Sequence, residues 1–136
     1  MKTKDLLEAR REKKRPLVLI IDENRTHQCL YDLAKDEVEM IPYIAGSSEE
    51  GIEAAKSVKF DLIILDMQLP DPAGVEYLRK LQELDQDRGS RTPTMAVTAH
   101  AMPGDCEKCI NAGVDDYLAK PFALAELKKK ISILAA

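Results

Sequence analysis

The stretch that decides the fold is Leu17-Val18-Leu19-Ile20-Ile21-Asp22-Glu23-Asn24. Five apolar residues in a row, most of them β-branched, leave no polar face for water. Such a segment reads as a strand buried on both sides, as in a parallel sheet. It closes abruptly on two acids. The pattern returns as Leu62-Ile63-Ile64-Leu65 closed by Asp66, as Thr94-Met95-Ala96-Val97 closed by Thr98, and as Asp116-Tyr117-Leu118-Ala119 closed by Lys120. Met40 to Ala45 reads as a further strand, but Pro42 cannot donate to a ladder and belongs at a sheet edge.

Helical patterns fill the gaps. Leu30 and Leu33 mark a helix after Asn24, and Ser47 with Glu50 three residues on is a capping box that opens a second, running to about Val58. Val75, Leu78, Leu81 and Leu84 mark a third; a short fourth around Cys106 to Ala112 stops at Gly113. Leu124, Leu127, Ile131 and Leu134 line one stripe of the last, with Lys128, Lys129 and Lys130 mostly on its wet side. Strict β-α alternation over some 120 residues predicts a parallel sheet with helices on both faces, joined by right-handed crossovers.

Composition narrows the functional classes. The 136 residues are one domain's worth, and the net charge of -4 is unevenly spread. Residues 1–16 hold seven bases and three acids, whereas the other 120 hold 13 bases and 21 acids. Residues 17–136 therefore read as an acidic domain. A phosphate backbone requires a basic face, so the acidic balance argues against nucleic-acid binding by the domain itself and leaves the basic tail open. Residues 1–16 read as a basic extension or linker whose large apolar side chains beyond Met1, Leu6 and Leu7, are too few to dock it firmly. No apolar run reaches the length of a membrane span, and the charged N-terminus has no signal-peptide core. Three cysteines, Cys29, Cys106 and Cys109, suit a reducing, cytoplasmic setting. Cys106-x-x-Cys109 has no second half with zinc-site spacing and reads as ordinary helix cysteines.

In an open α/β sheet, ligands bind beyond the carboxyl ends of the strands. Here those ends carry Asp22, Glu23, Asp66, Thr98 and Lys120. Three converging carboxylates repel one another, and a divalent cation resolves that repulsion. Mg²⁺ suits a few carboxylates and several waters beside a phosphate. With a lysine for point charge and a hydroxyl donor, the set describes a site for a phosphoryl group. Singly each residue has an ordinary reading: Asp22 and Glu23 answer a helix dipole, Thr98 ends a strand, Tyr117 packs an edge, and His27 and His100 lie on the surface.

From about Leu17 to Ala135 the chain resembles a receiver domain of two-component response regulators, of the CheY-like superfamily. Four motifs carry the likeness: Ile21-Asp22-Glu23-Asn24, Leu65-Asp66-Met67-Gln68-Leu69-Pro70, Val97-Thr98-Ala99-His100 and Tyr117-Leu118-Ala119-Lys120-Pro121-Phe122. The resemblance implies a flavodoxin-like, doubly wound sheet in the order 2-1-3-4-5. It implies that Asp66 is the phosphoacceptor, taking its phosphoryl group from a phosphohistidine of a histidine kinase or histidine phosphotransfer protein. Asp22, Glu23, Asp66 and the backbone carbonyl of Gln68 would hold Mg²⁺. Lys120 and Thr98 would bind the phosphoryl group, Tyr117 would change rotamer with it, and a cis bond would precede Pro121. The switched surface would run from Gly104 to Ala112 and from Asp116 to Leu134, where a downstream effector would read it. Glu23 stands where many members have an aspartate, and its extra methylene leaves open whether Asp22 or Glu23 meets the metal directly. An additional proline in Pro70-Asp71-Pro72-Ala73-Gly74 predicts a stiffer loop.

Other functions fit less well. A haloacid-dehalogenase-like phosphohydrolase would need a second aspartate at position 68, where Gln68 cannot shuttle a proton. A flavodoxin-like cofactor binder would need a Ser/Thr/Gly-rich loop where Asp22 and Glu23 stand, and no G-x-G-x-x-G or P-loop is present. A receiver that only docks partners would not need Asp66, Thr98 and Lys120 together. The expectation is a phosphorylated signalling domain and not an enzyme. With no output domain after Ala136, it reads as a single-domain regulator or a receiver from a longer protein such as a hybrid histidine kinase.

Overall fold

A computed structural model describes residues 3–66, 72–99 and 103–136. The elements in chain order are α1 (Thr3–Lys13), β1 (Leu17–Asp22), α2 (Arg25–Ala34), β2 (Ile41–Ala45), α3 (Ser48–Ser57), β3 (Leu62–Asp66), α4 (Pro72–Arg88), β4 (Thr94–Thr98), α5 (Pro103–Ala112), β5 (Asp116–Ala119) and α6 (Leu124–Leu134). All pairings are parallel, in the order β2-β1-β3-β4-β5. This is the doubly wound architecture expected, with Pro42 on an edge strand.

β1 is buried along its whole length because both its faces are covered. Leu17, Leu19 and Ile21 enter one apolar cluster with Ala55 of α3 and Leu78 and Leu81 of α4. Val18 and Ile20 enter the other with Tyr31 of α2 and Leu127 and Ile131 of α6. The period-2 alternation of a strand thus divides one apolar run between two helical layers. α3 begins as expected, with the Ser47 hydroxyl accepting from the Glu50 N–H at 3.1 Å. It lies so close to the sheet that a Cβ on Gly51 would come within 2.8 Å of Ile21. Gly113, with φ of +113°, follows α5 in a conformation that L side chains rarely adopt.

Two readings of the sequence need correction. Residues 3–13 form a helix that docks, because Leu6 is 1% exposed within the first core cluster and Ala9 packs beside it. Arg10 adds an ion pair to Asp61 at 3.5 Å. Counting apolar residues missed this, since one leucine placed in a ready gap suffices. The second concerns α2, which exists as expected but turns a different face inward. Leu30 and Leu33 are 59% and 81% exposed, while Tyr31 and Ala34 are buried.

Candidate functional site

Parallel register places Asp22 directly opposite Asp66 on the two central strands. Each is the last residue of its strand, so both carboxylates emerge at the carboxyl edge of the sheet. Asp22 is fixed on one side: its Oδ1 accepts from the Asn24 N–H at 2.9 Å, and its carbonyl accepts from Gln28 Nε2 at 2.6 Å. The Asp66 side chain, only 6% exposed, pairs through Oδ1 with Lys120 Nζ at 2.6 Å. Lys120 is set in place from the neighbouring strand, its N–H donating to the Thr98 carbonyl at 2.8 Å, and the bond to Pro121 is cis.

Two further residues enter the site from α2. Asn24 caps that helix, its side-chain oxygen accepting from the His27 N–H at 3.1 Å. The cap fixes the phase of the first turn, and positions 27, 31 and 34 then share a stripe at i, i+4 and i+7. Tyr31 donates its hydroxyl to Asp66 Oδ2 at 3.1 Å. His27 directs Nδ1 at Asp22 Oδ2 (3.0 Å), Asp66 Oδ2 (3.7 Å) and Lys120 Nζ (3.2 Å). The expectation of a surface histidine is therefore corrected: the ring is 34% exposed, but its nitrogen belongs to the cleft. The helical stripe starting from the Asn24 cap was the available signal for both residues, and the more apolar Leu30 and Leu33 concealed it.

The remaining expected residues fall as follows. Thr98 is buried at the end of β4, and Tyr117 is half-buried on β5 with Lys130 Nζ 5.8 Å from its ring centre. Glu23 is exposed. Among the described residues, the group whose ligand atoms lie within 4.8 Å of one another is Asp22, His27 and Asp66. Gln68, His100, Pro70 and Asp71 lie outside the described residues, as do the side chains of Cys106 and Cys109 on α5, whereas residues 72–74 of the expected loop belong to the first turn of α4.

The electrostatics follow from this packing. Burial pushes the Asp66 carboxyl up to about 6, the adjacent Asp22 adds to the rise, and Lys120 draws it back. Burial, and then the charge of Asp66, push the Tyr31 phenol above its ordinary value, so it stays a proton donor across the physiological range. Two carboxylate oxygens that repel one another and an imidazole nitrogen, all within 4.8 Å of one another, fit a divalent cation. From this cleft a groove of about 810 Å³ runs between α2 and α6, lined by Leu30, Leu33, Phe122, Leu124 and Leu127.

A doubly wound parallel sheet whose carboxyl edge joins two aspartates to a lysine points to an α/β signalling domain. The chain belongs to the response regulator receiver domain family, whose model matches residues 18–132. It is 38% identical over 104 residues to the signal transduction histidine-protein kinase BarA of Shigella flexneri, covering 76% of this chain and 11% of that kinase. The chain thus spans about a tenth of the length of the BarA kinases it matches. Among solved structures it is similar to the receiver domain of the sensor histidine kinase PA1611 from Pseudomonas aeruginosa, which has a magnesium ion coordinated in its active-site cleft. That likeness has a TM-score of 0.75 at 28% identity, over 89% of this chain and 98% of that one. The receiver domain of Ssk1 from Saccharomyces cerevisiae, solved with the histidine phosphotransfer protein Ypd1, aligns with a TM-score of 0.78 at 26% identity, over 89% of each chain. The chain is a two-component signalling module with an acidic cluster at the site such domains use.

Proposed function

We propose that this receiver accepts a phosphoryl group from phosphohistidine onto Asp66. The observation that carries the reading is the buried Asp66 carboxylate paired with Lys120 at 2.6 Å beside Asp22 at the carboxyl edge of the sheet. A carboxylate oxygen of Asp66 forms the new bond to phosphorus as the bond from phosphorus to the donor's imidazole nitrogen breaks, and the imidazole leaves with that electron pair. In-line placement and charge neutralisation matter more here than proton transfer. Lys120 exchanges the Asp66 carboxylate for a phosphoryl oxygen, and Thr98 donates its hydroxyl to another. Asp22 and Asp66 would hold Mg²⁺, with Glu23 and the carbonyl of Gln68 completing its shell. When bound, the ion supplies positive charge to the equatorial oxygens.

Histidine kinases or histidine phosphotransfer proteins are the donors in this reading, and the exposed Leu30 and Leu33 beside the cleft form the apolar rim on which a donor rests. The added charge draws Thr98 and Lys120 inward, Tyr117 follows, and the face made by α5, β5 and α6 changes for a downstream effector. The protein acts as a phosphorylated signalling domain in the cytoplasm and not as a turnover enzyme. Residues 17–136 form the receiver and residues 1–16 an appended segment. Incubation with acetyl phosphate and Mg²⁺, read by intact mass, tests the proposal. A gain of one phosphoryl group that vanishes in Asp66→Asn and with EDTA is expected, and an unlabelled wild type beside a labelled control receiver overturns it.

A further inference from the structure

We propose that His27 is a nitrogen ligand in the cleft, so that the site prefers a transition-series divalent cation of the Mn²⁺-to-Zn²⁺ kind over Mg²⁺. The inference rests on the reading that Asp22 and Asp66 hold a divalent ion. It adds what this chain's own histidine does to the choice of ion.

Each carboxylate is already held by one of its oxygens. Asp22 commits Oδ1 to the Asn24 N–H and Asp66 commits Oδ1 to Lys120, while Asp66 Oδ2 accepts from Tyr31 and keeps a further lone pair; both Oδ2 atoms lie beside His27. His27 Nδ1 lies 3.0 Å from one and 3.7 Å from the other. Ligand atoms that share an ion at bond lengths near 2.0–2.1 Å sit about 3 to 4 Å apart. Both distances from Nδ1 fall in that range, and the three ligand atoms all lie within 4.8 Å of one another.

The contacts of Nδ1 also conflict. A protonated Nδ1 donates to Asp22 but then presents its N–H to the Lys120 ammonium, 3.2 Å away. An unprotonated Nδ1 accepts from Lys120 but then sets its lone pair against the Asp22 oxygen. No tautomer satisfies both neighbours. A cation among Asp22 Oδ2, His27 Nδ1 and Asp66 Oδ2 meets three lone pairs at once and relieves the clash with Asp22, while Lys120 gives up His27 and keeps Asp66 Oδ1 as its acceptor.

Ligand chemistry then sets the preference. Mg²⁺ is a hard ion that takes oxygen donors and retains water, and it gains little from imidazole. Imidazole suits zinc, copper, iron and nickel, with affinity rising from Mn²⁺ towards Cu²⁺. The capped helix holds His27 in place, so no ordering of a loop opposes binding.

Calorimetric titration with NiCl₂ and with MgCl₂ tests the assignment. The full chain carries Cys106→Ser and Cys109→Ser, which removes its one Cys-x-x-Cys pair as a competing nickel site. The quantity read is the ratio of Ni²⁺ to Mg²⁺ affinity, with and without His27→Asn. Loss of a ligand should lower that ratio by at least about tenfold, the low end for altering even a metal's outer shell. An unchanged ratio overturns the proposal. Where a variant does not fold, the histidine side-chain ¹⁵N resonances of the unmodified chain decide. Zn²⁺ shifts the Nδ1 signal of His27 if the assignment holds, and an unmoved signal at saturating Zn²⁺ overturns it. Acetyl phosphate plays no part in these titrations. A chain that labels with Mg²⁺ but shows no His27-dependent nickel binding defeats this inference alone, and one that binds nickel through His27 but never labels defeats only the phosphoacceptor reading.

Discussion

Asp66→Asn makes the metal-free protein more stable at alkaline pH. The Asp66 carboxyl, ordinarily near 3.8, is raised to about 6 by burial and by Asp22, against the pull of Lys120. A raised carboxyl pKa means that the folded state binds the proton more tightly than the unfolded state does. Stability contributed by that proton is present when the pH lies below the unfolded value, and it is lost as the pH rises through the folded value. Above about pH 7 the folded protein carries the full cost of a buried charge. A rise of this size corresponds to about 3 kcal/mol. Asparagine keeps the shape and removes the charge, and the Lys120 attraction is already contained in the net rise. The expected gain at pH 8 is about 1 to 3 kcal/mol, allowing for one imperfect amide hydrogen bond. Urea unfolding in EDTA at pH 8, 7, 6 and 5 measures it. The wild type should gain stability on the acid side relative to the variant, so the two curves converge toward pH 5. Mg²⁺ at about a hundred times its dissociation constant should return about 2.7 kcal/mol to the wild type and so narrow the gap at pH 8. A variant no more stable than wild type at pH 8, or a difference that ignores pH, refutes the reasoning.

Tyr31→Phe removes a hydrogen bond to the same carboxylate and should cost about 1.5 to 3 kcal/mol at pH 8, and less at pH 5 where Asp66 is protonated, as urea unfolding at the two pH values will show. Leu6→Ala should cost about 2 to 5 kcal/mol, because α1 is docked by that side chain; a change within 0.5 kcal/mol, roughly what a solvated tail would give, would mean the helix does not pack. Leu33→Asp should slow phosphoryl transfer from a phosphohistidine donor protein about tenfold or more while leaving labelling by acetyl phosphate intact, since a small donor needs no apolar rim; equal slowing of both would show that the leucine acts on the site itself.

The sheet and half of its site were legible because both rest on local signals. Apolar runs such as Leu62 to Leu65 declare a doubly buried strand, and the polar residue that closes each run marks where the strand meets solvent. Register then follows from geometry, and Asp22 and Asp66 become neighbours. The contribution of α2 was harder to read. Its strongest apolar residues, Leu30 and Leu33, lie outward, while the inward stripe is His27, Tyr31 and Ala34. A polar inward face is what a helix beside a charged site requires, so hydrophobicity there indicates the wrong side. Glu23 illustrates a different limit: two adjacent acids at a strand end diverge, and the sequence does not say which turns outward. Leu6 illustrates a third, since docking by one side chain depends on a core cluster that residues distant in sequence build.

In the proposed function, conversion of Asp66 to an acyl phosphate is the step on which signalling depends. Borohydride reduces an aspartyl phosphate to homoserine and leaves free carboxylates untouched, so reduction after acetyl phosphate treatment followed by peptide mass mapping locates the modified residue. Homoserine at position 66, absent when acetyl phosphate or the divalent ion is withheld, is the predicted result. Conversion at another acid, or an unaltered Asp66 peptide from protein whose intact mass has gained a phosphoryl group, contradicts it.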